Sequence, residues 1–262
     1  MSVRVVGFAV LVVLMSWAGV ALCAEDVRLL PFGKSLAGAH ELPLPFGVSV
    51  TLHKQDQDYK LRSLTVNLPL VDNSLLQNLA VKNSTGEANL KLDVWVLPFL
   101  NVFGLVGRIE GETKVAVQPV ISDLTIDYEG IVYGAGVTAA GGVGRYFASL
   151  TAIYTDTSLD ATDSSVTAWV LAPRVGGTFA TRRGQALTCW IGAMYQQADE
   201  QHEGAIGLPG FGDVQYAVEL EDKDPWNATL GASTVIHDRL SLELEVGAGG
   251  RTQTTGSLTW RF

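Results

Sequence analysis

Strict alternation of apolar and polar residues runs through most of this chain and decides what it can fold into. In RLSLELEVGAG, residues 239 to 249, Leu240, Leu242, Leu244, Val246 and Ala248 share one parity. Ser241, Glu243, Glu245 and Gly247 share the other. A helix would scatter these leucines around its axis, whereas a strand sorts them onto opposite faces. WNATLGASTVI (226 to 236) does the same, and His237-Asp238 supplies a tight turn between the two. The pattern recurs in GVSVTLH (47 to 53), SLTVNL (63 to 68), NLKLDVWV (89 to 96), YEGIVYGAGVTA (128 to 139) and RYFASLTAIY (145 to 154). SVTAWVLAPRVG (165 to 176) and ALTCWIGAMYQ (186 to 196) read as strands whose faces are not assignable, and 94 to 107 reads as two strands around a Pro98–Leu100 turn. Only SLLQNLAVKN, 74 to 83, reads as a short helix. The fold class is all-β.

The first 26 residues differ from the rest. Arg4 is followed by an apolar run from Val5 to Leu22, then Leu22-Cys23-Ala24 before Glu25 and Asp26. A basic head, an apolar core and a small residue before the cut are the layout of a secretory signal peptide, so residues 1–24 are expected to be removed after Ala24. A membrane anchor is the competing reading of the same run, and a lipid-attachment Cys23 is disfavoured by Leu22 before it. Cleavage leaves 238 residues and removes one positive charge, taking the formal net charge from −9 to −10. An acidic chain without clustered Lys and Arg is not expected to bind nucleic acid. Cys189 is then the only cysteine, so an exported protein of this size has no internal disulfide. No later stretch has the roughly 18 to 20 apolar residues of a spanning helix.

Two sheet architectures fit the alternation, a soluble β-sandwich and a membrane barrel. Three features favour the barrel. The polar parity is dominated by Ser, Thr, Asn and Gly, where an exposed soluble face would carry Lys and Glu. Aromatics on the apolar parity, namely Tyr133, Tyr146, Tyr154, Trp226 and Trp260, sit near strand ends, where interfacial girdles collect them. The chain also closes on GSLTWRF, with Leu258, Trp260 and Phe262 alternating up to the last residue, where a soluble chain usually frays. This ending, together with the strand pattern, resembles the bacterial outer-membrane β-barrel proteins. The resemblance implies an outer-membrane location, contact with outer-membrane lipid, and a terminal strand of Leu258, Trp260 and Phe262 that is read by the barrel assembly machinery.

A sheet crossing hydrocarbon must close, because an open edge would leave N–H and C=O groups unsatisfied. The expected partner of GSLTWRF is therefore the first strand, GVSVTLH. Alternation gives eleven segments, and barrels of this kind have even strand numbers. TKVAVQPV (113 to 120) is the candidate twelfth, so the expectation is an antiparallel up-and-down barrel of about twelve strands, with ten as the alternative, over residues 45–262. Residues 25–44 are expected to lie at the periplasmic mouth or to plug it. PFGKS (31 to 35) lacks the upstream glycine of a phosphate-binding loop and reads as an ordinary loop. KQDQD (54 to 58), AAGG (139 to 142) and TRRG (181 to 184) read as short turns. The segments 118 to 127, 155 to 164 and the acidic 198 to 223 read as longer loops.

On the inner parity, Lys91, Asp93, Trp95, Arg108, Glu110, Arg145, Glu243 and Glu245 are the expected lumen-lining residues. They either bias which solutes pass or pair to fill a narrow interior. None of His40, His53, His202 and His237 has metal-ligand spacing. His53 reads as a polar lining residue, and His202 as part of a solvated acidic loop with Asp199, Glu200 and Glu203. No nucleophile–base pair stands out and Cys189 has no activating neighbour, so no catalytic residue, metal or cofactor is expected. The leading functional expectation is a small-solute channel or binding barrel. A surface anchor acting through 198–223 comes second, and a lipid-modifying barrel enzyme third.

Overall fold

A computed structural model of the chain describes residues 30–37, 42–66, 80–116, 124–159, 165–181, 186–208, 212–237 and 239–262. A short 3-10 turn at Lys34–Ala37 precedes eleven strand segments. They are β1 (Phe46–Val66), β2 (Ala80–Leu97), β3 (Leu100–Ala116), β4 (Leu124–Val143), β5 (Tyr146–Leu159), β6 (Ser165–Ala180), β7 (Ala186–Leu208), β8 (Gly212–Asp222), β9 (Trp226–His237), β10 (Leu240–Gly249) and β11 (Arg251–Arg261). From β1 to β7 each strand pairs antiparallel with the next.

β8 and β9 are two halves of one descending strand. Both run antiparallel to β7, β8 against Asp199–Leu208 and β9 against Leu187–Tyr195, with a bend at 223–225 between them. β9 then pairs with β10, β10 with β11, and β11 with β1. The ring therefore has ten strands at the end where β1 begins and β11 finishes, the alternative count. Above Gln57 the neighbour of β1 changes. Tyr59 pairs with Asp222, and β8 accompanies β1 up to Val66. At that height the ring has eight strands, and the short β10–β11 hairpin ends beneath the bend, where the Gly250 N–H donates to Trp226 O at 3.0 Å.

The closing seam is the expected one. Val48 faces Trp260, Val50 faces Leu258, and Phe46 and Phe262 exchange both backbone hydrogen bonds at 3.1 and 3.0 Å. Side chains reinforce the seam on its inner face in three successive rungs: Ser49–Thr259 at 2.8 Å, Thr51–Ser257 at 3.0 Å and His53–Thr255 at 2.8 Å. The turn after Leu97 falls at Pro98–Phe99, also as expected.

Several segments differ from the sequence reading, and mostly for one reason: strands continue beyond the apolar belt. Residues 54–58 are no turn but the middle of the 21-residue β1, which also absorbs 63–66. Residues 113–116 extend β3 instead of founding a twelfth strand, and 117–120 lie outside the described residues. Ala80–Asn83, expected to end a helix, open β2, and 74–79 lie outside the described residues. The turn placed at 139–142 falls at 144–145, where Gly144 has φ of 61°. The acidic segment 198–223 is mostly ladder, the upper part of β7 and all of β8. Residues 155–159 likewise end β5. Above hydrocarbon a strand no longer needs an apolar face, so alternation fades while pairing persists.

The faces sort as alternation requires. Leu52, Leu92, Val106, Ile131, Ile191, Leu230, Leu244 and Val246 point outward, and Leu244 is 55% exposed. Ser49, Gln55, Gln57, Asn83, Thr157, Thr229 and Gln253 point inward and are buried. This inverts a soluble protein. Tyr133, Tyr154, Trp169, Tyr195 and Trp226 form an upper girdle, with ring contacts Tyr154–Trp169 at 4.9 Å and Tyr195–Trp226 at 5.2 Å. Tyr146, Phe179 and Trp260 form the lower one. From Tyr146 to Tyr154, at ~3.3 Å per residue and ~40° tilt, the rise is about 20 Å, suited to a membrane core.

Large inward side chains are accommodated by glycines on neighbouring strands. The Trp190 indole lies over Gly231, where any Cβ would overlap its six-membered ring. Gly231→Val should therefore destabilise the folded barrel by about 1–3 kcal/mol through overpacking, read as a lower midpoint in denaturant titration. An unchanged midpoint would mean that the indole is not held there.

Candidate functional site: a charge-paired lumen beneath a filled neck

Below the bend, the inner face brings together three cations and three carboxylates from four strands. Lys91 and Asp93 come from β2, Arg174 from β6, Glu243 and Glu245 from β10, and Arg261 from β11. Arg174 reaches from β6 to β10, placing Nη2 at 2.9 Å from Glu245 and Nη1 at 3.4 Å from Glu243. Glu245, its side chain only 2% exposed, also accepts Trp190 Nε1–H at 2.7 Å. Arg174 lies 5.3 Å from the centroid of the same indole. On the opposite side Asp93, its side chain fully buried, accepts Arg261 Nη2–H at 2.8 Å and the Asn101 amide at 2.7 Å. Asp93 crosses β1 to reach Arg261 because Gly47 leaves room; a Cβ there would overlap the carboxylate. The Lys91 ammonium stands 5.2 Å over the Phe103 ring. Burying one such charge alone would be costly, and pairing offsets it.

Not all the sequence-derived lining residues fall here. Lys91, Asp93, Trp95, Glu243 and Glu245 lie on the inner face. Arg108 and Glu110 do not, because they share the outward parity of Val102 and Val106 on β3. Arg108 bonds Glu129 on the exposed surface. Their polarity marks the end of the apolar belt rather than a lumen. Arg145 sits in the exposed 144–145 turn at the terminal end. Reasoning from sequence missed Arg174, Trp190 and Arg261. For Arg261 the signal was available, as it alternates with Trp260 and Phe262. For Arg174 it was weak, because Val170 and Ala172 are apolar on the inner parity as well.

Above this cluster the interior is closed by side chains. An eight-stranded ring is just wide enough to be filled by its own residues. Here Tyr59 and Val81 pack with Val115, and Gln57, Asn83, Thr113, Val132 and Leu159 are buried around them. Tyr128 Oη links to Asn83 at 2.8 Å and Thr85 at 3.0 Å. Below the neck His53, Glu87, Lys91 and Thr255 retain partial accessibility. At the terminal end the Phe32 N–H donates to Val96 O at 2.9 Å, and Arg261 Nη1 to Leu44 O at 3.2 Å, so the segment before β1 rests against the rim.

A closed antiparallel ring, apolar outside, aromatic at two levels and polar inside, defines a transmembrane β-barrel of the bacterial outer-membrane class. Several solved structures are similar to this chain. The beta domain of the Bordetella autotransporter BrkA has 11% identity, covers 83% of this chain and 99% of its own, and has a TM-score of 0.43. The outer membrane protein OprG from Pseudomonas aeruginosa has 11% identity, covers 85% and 98%, and has a TM-score of 0.45. The outer membrane protease OmpT from Escherichia coli has 7% identity, covers 84% and 97%, and has a TM-score of 0.44. No family model matches the chain, and no curated protein sequence does. Likeness at this level concerns architecture, and function must be argued from the interior.

Proposed function

We propose that this protein is an outer-membrane barrel that binds small solutes in a ten-stranded lumen entered from the periplasmic end and stoppered at the eight-stranded neck. Export by a cleaved signal at residues 1–24 and recognition of Leu258, Trp260 and Phe262 by the assembly machinery belong to the same reading. The observation that carries it is the contrast in height. Below the neck His53, Glu87, Lys91 and Thr255 are polar lining residues that stay partly accessible, while Gln57, Tyr59, Val81, Asn83 and Thr113 in the neck are buried.

Conductance of the folded chain in a planar bilayer tests this. The natural chain should give no sustained current, and a Tyr59→Ala/Val81→Ala variant should give stable steps once the stopper is thinned. Sustained steps from the natural chain would mean an open channel. Silence from the folded, inserted variant would mean that the lower barrel is packed as well, and the lumen reading would be abandoned. The β7–β8 extension, with acidic residues on both strands, motivates a second reading as an interaction surface. Shortening that hairpin should then abolish partner binding with no effect on the lumen.

A further inference from the structure

Where ten strands become eight, three inward side chains lie together with polar atoms that find no partner among the described residues. They are Asn227 of β9, 3% exposed, and Arg251 and Gln253 of β11, 2% and 1% exposed. Both amide atoms of Asn227, both amide atoms of Gln253, and Nε and Nη1 of Arg251 are unpartnered. Only Arg251 Nη2 is bonded, to Pro225 O at 3.1 Å. Gly247 of β10 lies between Asn227 and Gln253, and a side chain there would strike both. By register Gln253 lies beside Gln55, just below the height at which β1 exchanges β11 for β8. Next to it on the accessible side stand His53 and Thr255, already bonded to each other.

Buried polar atoms are nearly always satisfied, and so many orphans on adjacent side chains call for an explanation. Carboxamides present a donor and an acceptor side by side, and the Arg251 guanidinium adds N–H donors at Nε and Nη1. The matching ligand has neighbouring groups that each donate and accept, as vicinal hydroxyls do. Charge argues against an ion. Asp222 is the foremost acidic neighbour of Arg251, and its own oxygens accept from Ala198 N–H at 2.9 Å and from the Gln57 amide. Counting Glu87, the lumen below holds four carboxylates and three cations, and the Arg251 guanidinium balances the fourth carboxylate. We infer that Asn227, Arg251 and Gln253 form a binding site for a small neutral polyol or sugar at the closed end of the lumen. This deepens the solute-binding reading and rests on it.

The test is calorimetric titration of the folded chain in detergent with maltose, gluconate and glucosamine. Maltose should bind saturably, with the two charged sugars weaker. Asn227→Leu and Gln253→Leu should each weaken maltose by about tenfold, the loss of one or two hydrogen bonds. Both variants should keep the natural heat-dependent gel mobility, since each removes an unsatisfied group. Should a leucine variant not fold, Gln253→Glu is the second probe. It keeps the acceptor, loses the donor, and should weaken maltose while leaving the barrel assembled. Failure of the natural chain to bind maltose, or equal binding by the variants, would overturn the site. If the neck-thinned variant conducts while maltose does not bind, only this inference fails. If it neither conducts nor the natural chain binds any solute, the lumen reading fails with it.

Discussion

Replacing Glu245 by glutamine should cost about 3–5 kcal/mol, the range for removing one partner of a buried ion pair. Glu245 is enclosed and receives two donors, the Arg174 guanidinium at 2.9 Å and the Trp190 indole at 2.7 Å. Glutamine keeps an acceptor for the indole but removes the charge, leaving Arg174 with Glu243 at 3.4 Å. The measurement is the midpoint of urea unfolding in lipid vesicles, followed by tryptophan fluorescence. A second variant isolates the cause. Arg174→Met in the Glu245→Gln background should recover much of the loss, because removing both charges leaves none buried alone. A single-variant loss under about 1 kcal/mol would place this pair in the regime of hydrated surface bridges, and the lumen would be wet at that height.

Arginine in place of Leu244 carries the second large effect. Leu244 lies mid-strand on β10 and faces outward. In a soluble sheet an exposed leucine tolerates arginine well. On a lipid-facing surface near the bilayer midplane the same change costs about 2–4 kcal/mol. Asp56→Arg, on the outward face of β1 above the belt, should change stability little. Equal tolerance at both positions in vesicles would show that the surface around Leu244 does not meet hydrocarbon, and the membrane reading would fall.

The class of fold was legible because period-two alternation survives translation into a barrel unchanged. The parities read for 47–53, 128–139, 226–236 and 239–249 are those of the folded strands, and GSLTWRF pairs with GVSVTLH. Strand ends were not legible. Lys54, Asp56 and Asp58 look like a turn when polarity is taken to mean solvent exposure at a bend. In the fold they are the outward face of a strand that has left the membrane. The same error moved Arg108 and Glu110 to the inside. Polarity on one parity says that a face is wet; it does not say whether the water is in the lumen or beyond the belt.

By itself, then, the sequence determined a closed antiparallel sheet with an apolar exterior, since no other arrangement hides both its alternation and its backbone from hydrocarbon. Only the tertiary structure decided which charges meet. Arg174 and Glu245 are far apart in the chain, and so are Asp93 and Arg261. Each pair forms because glycines on intervening strands let long side chains cross. It also decided that the barrel narrows from ten strands to eight. That step depends on a bend at 223–225 that lets one strand pair with different neighbours above and below, a choice set by long-range register that local alternation does not encode.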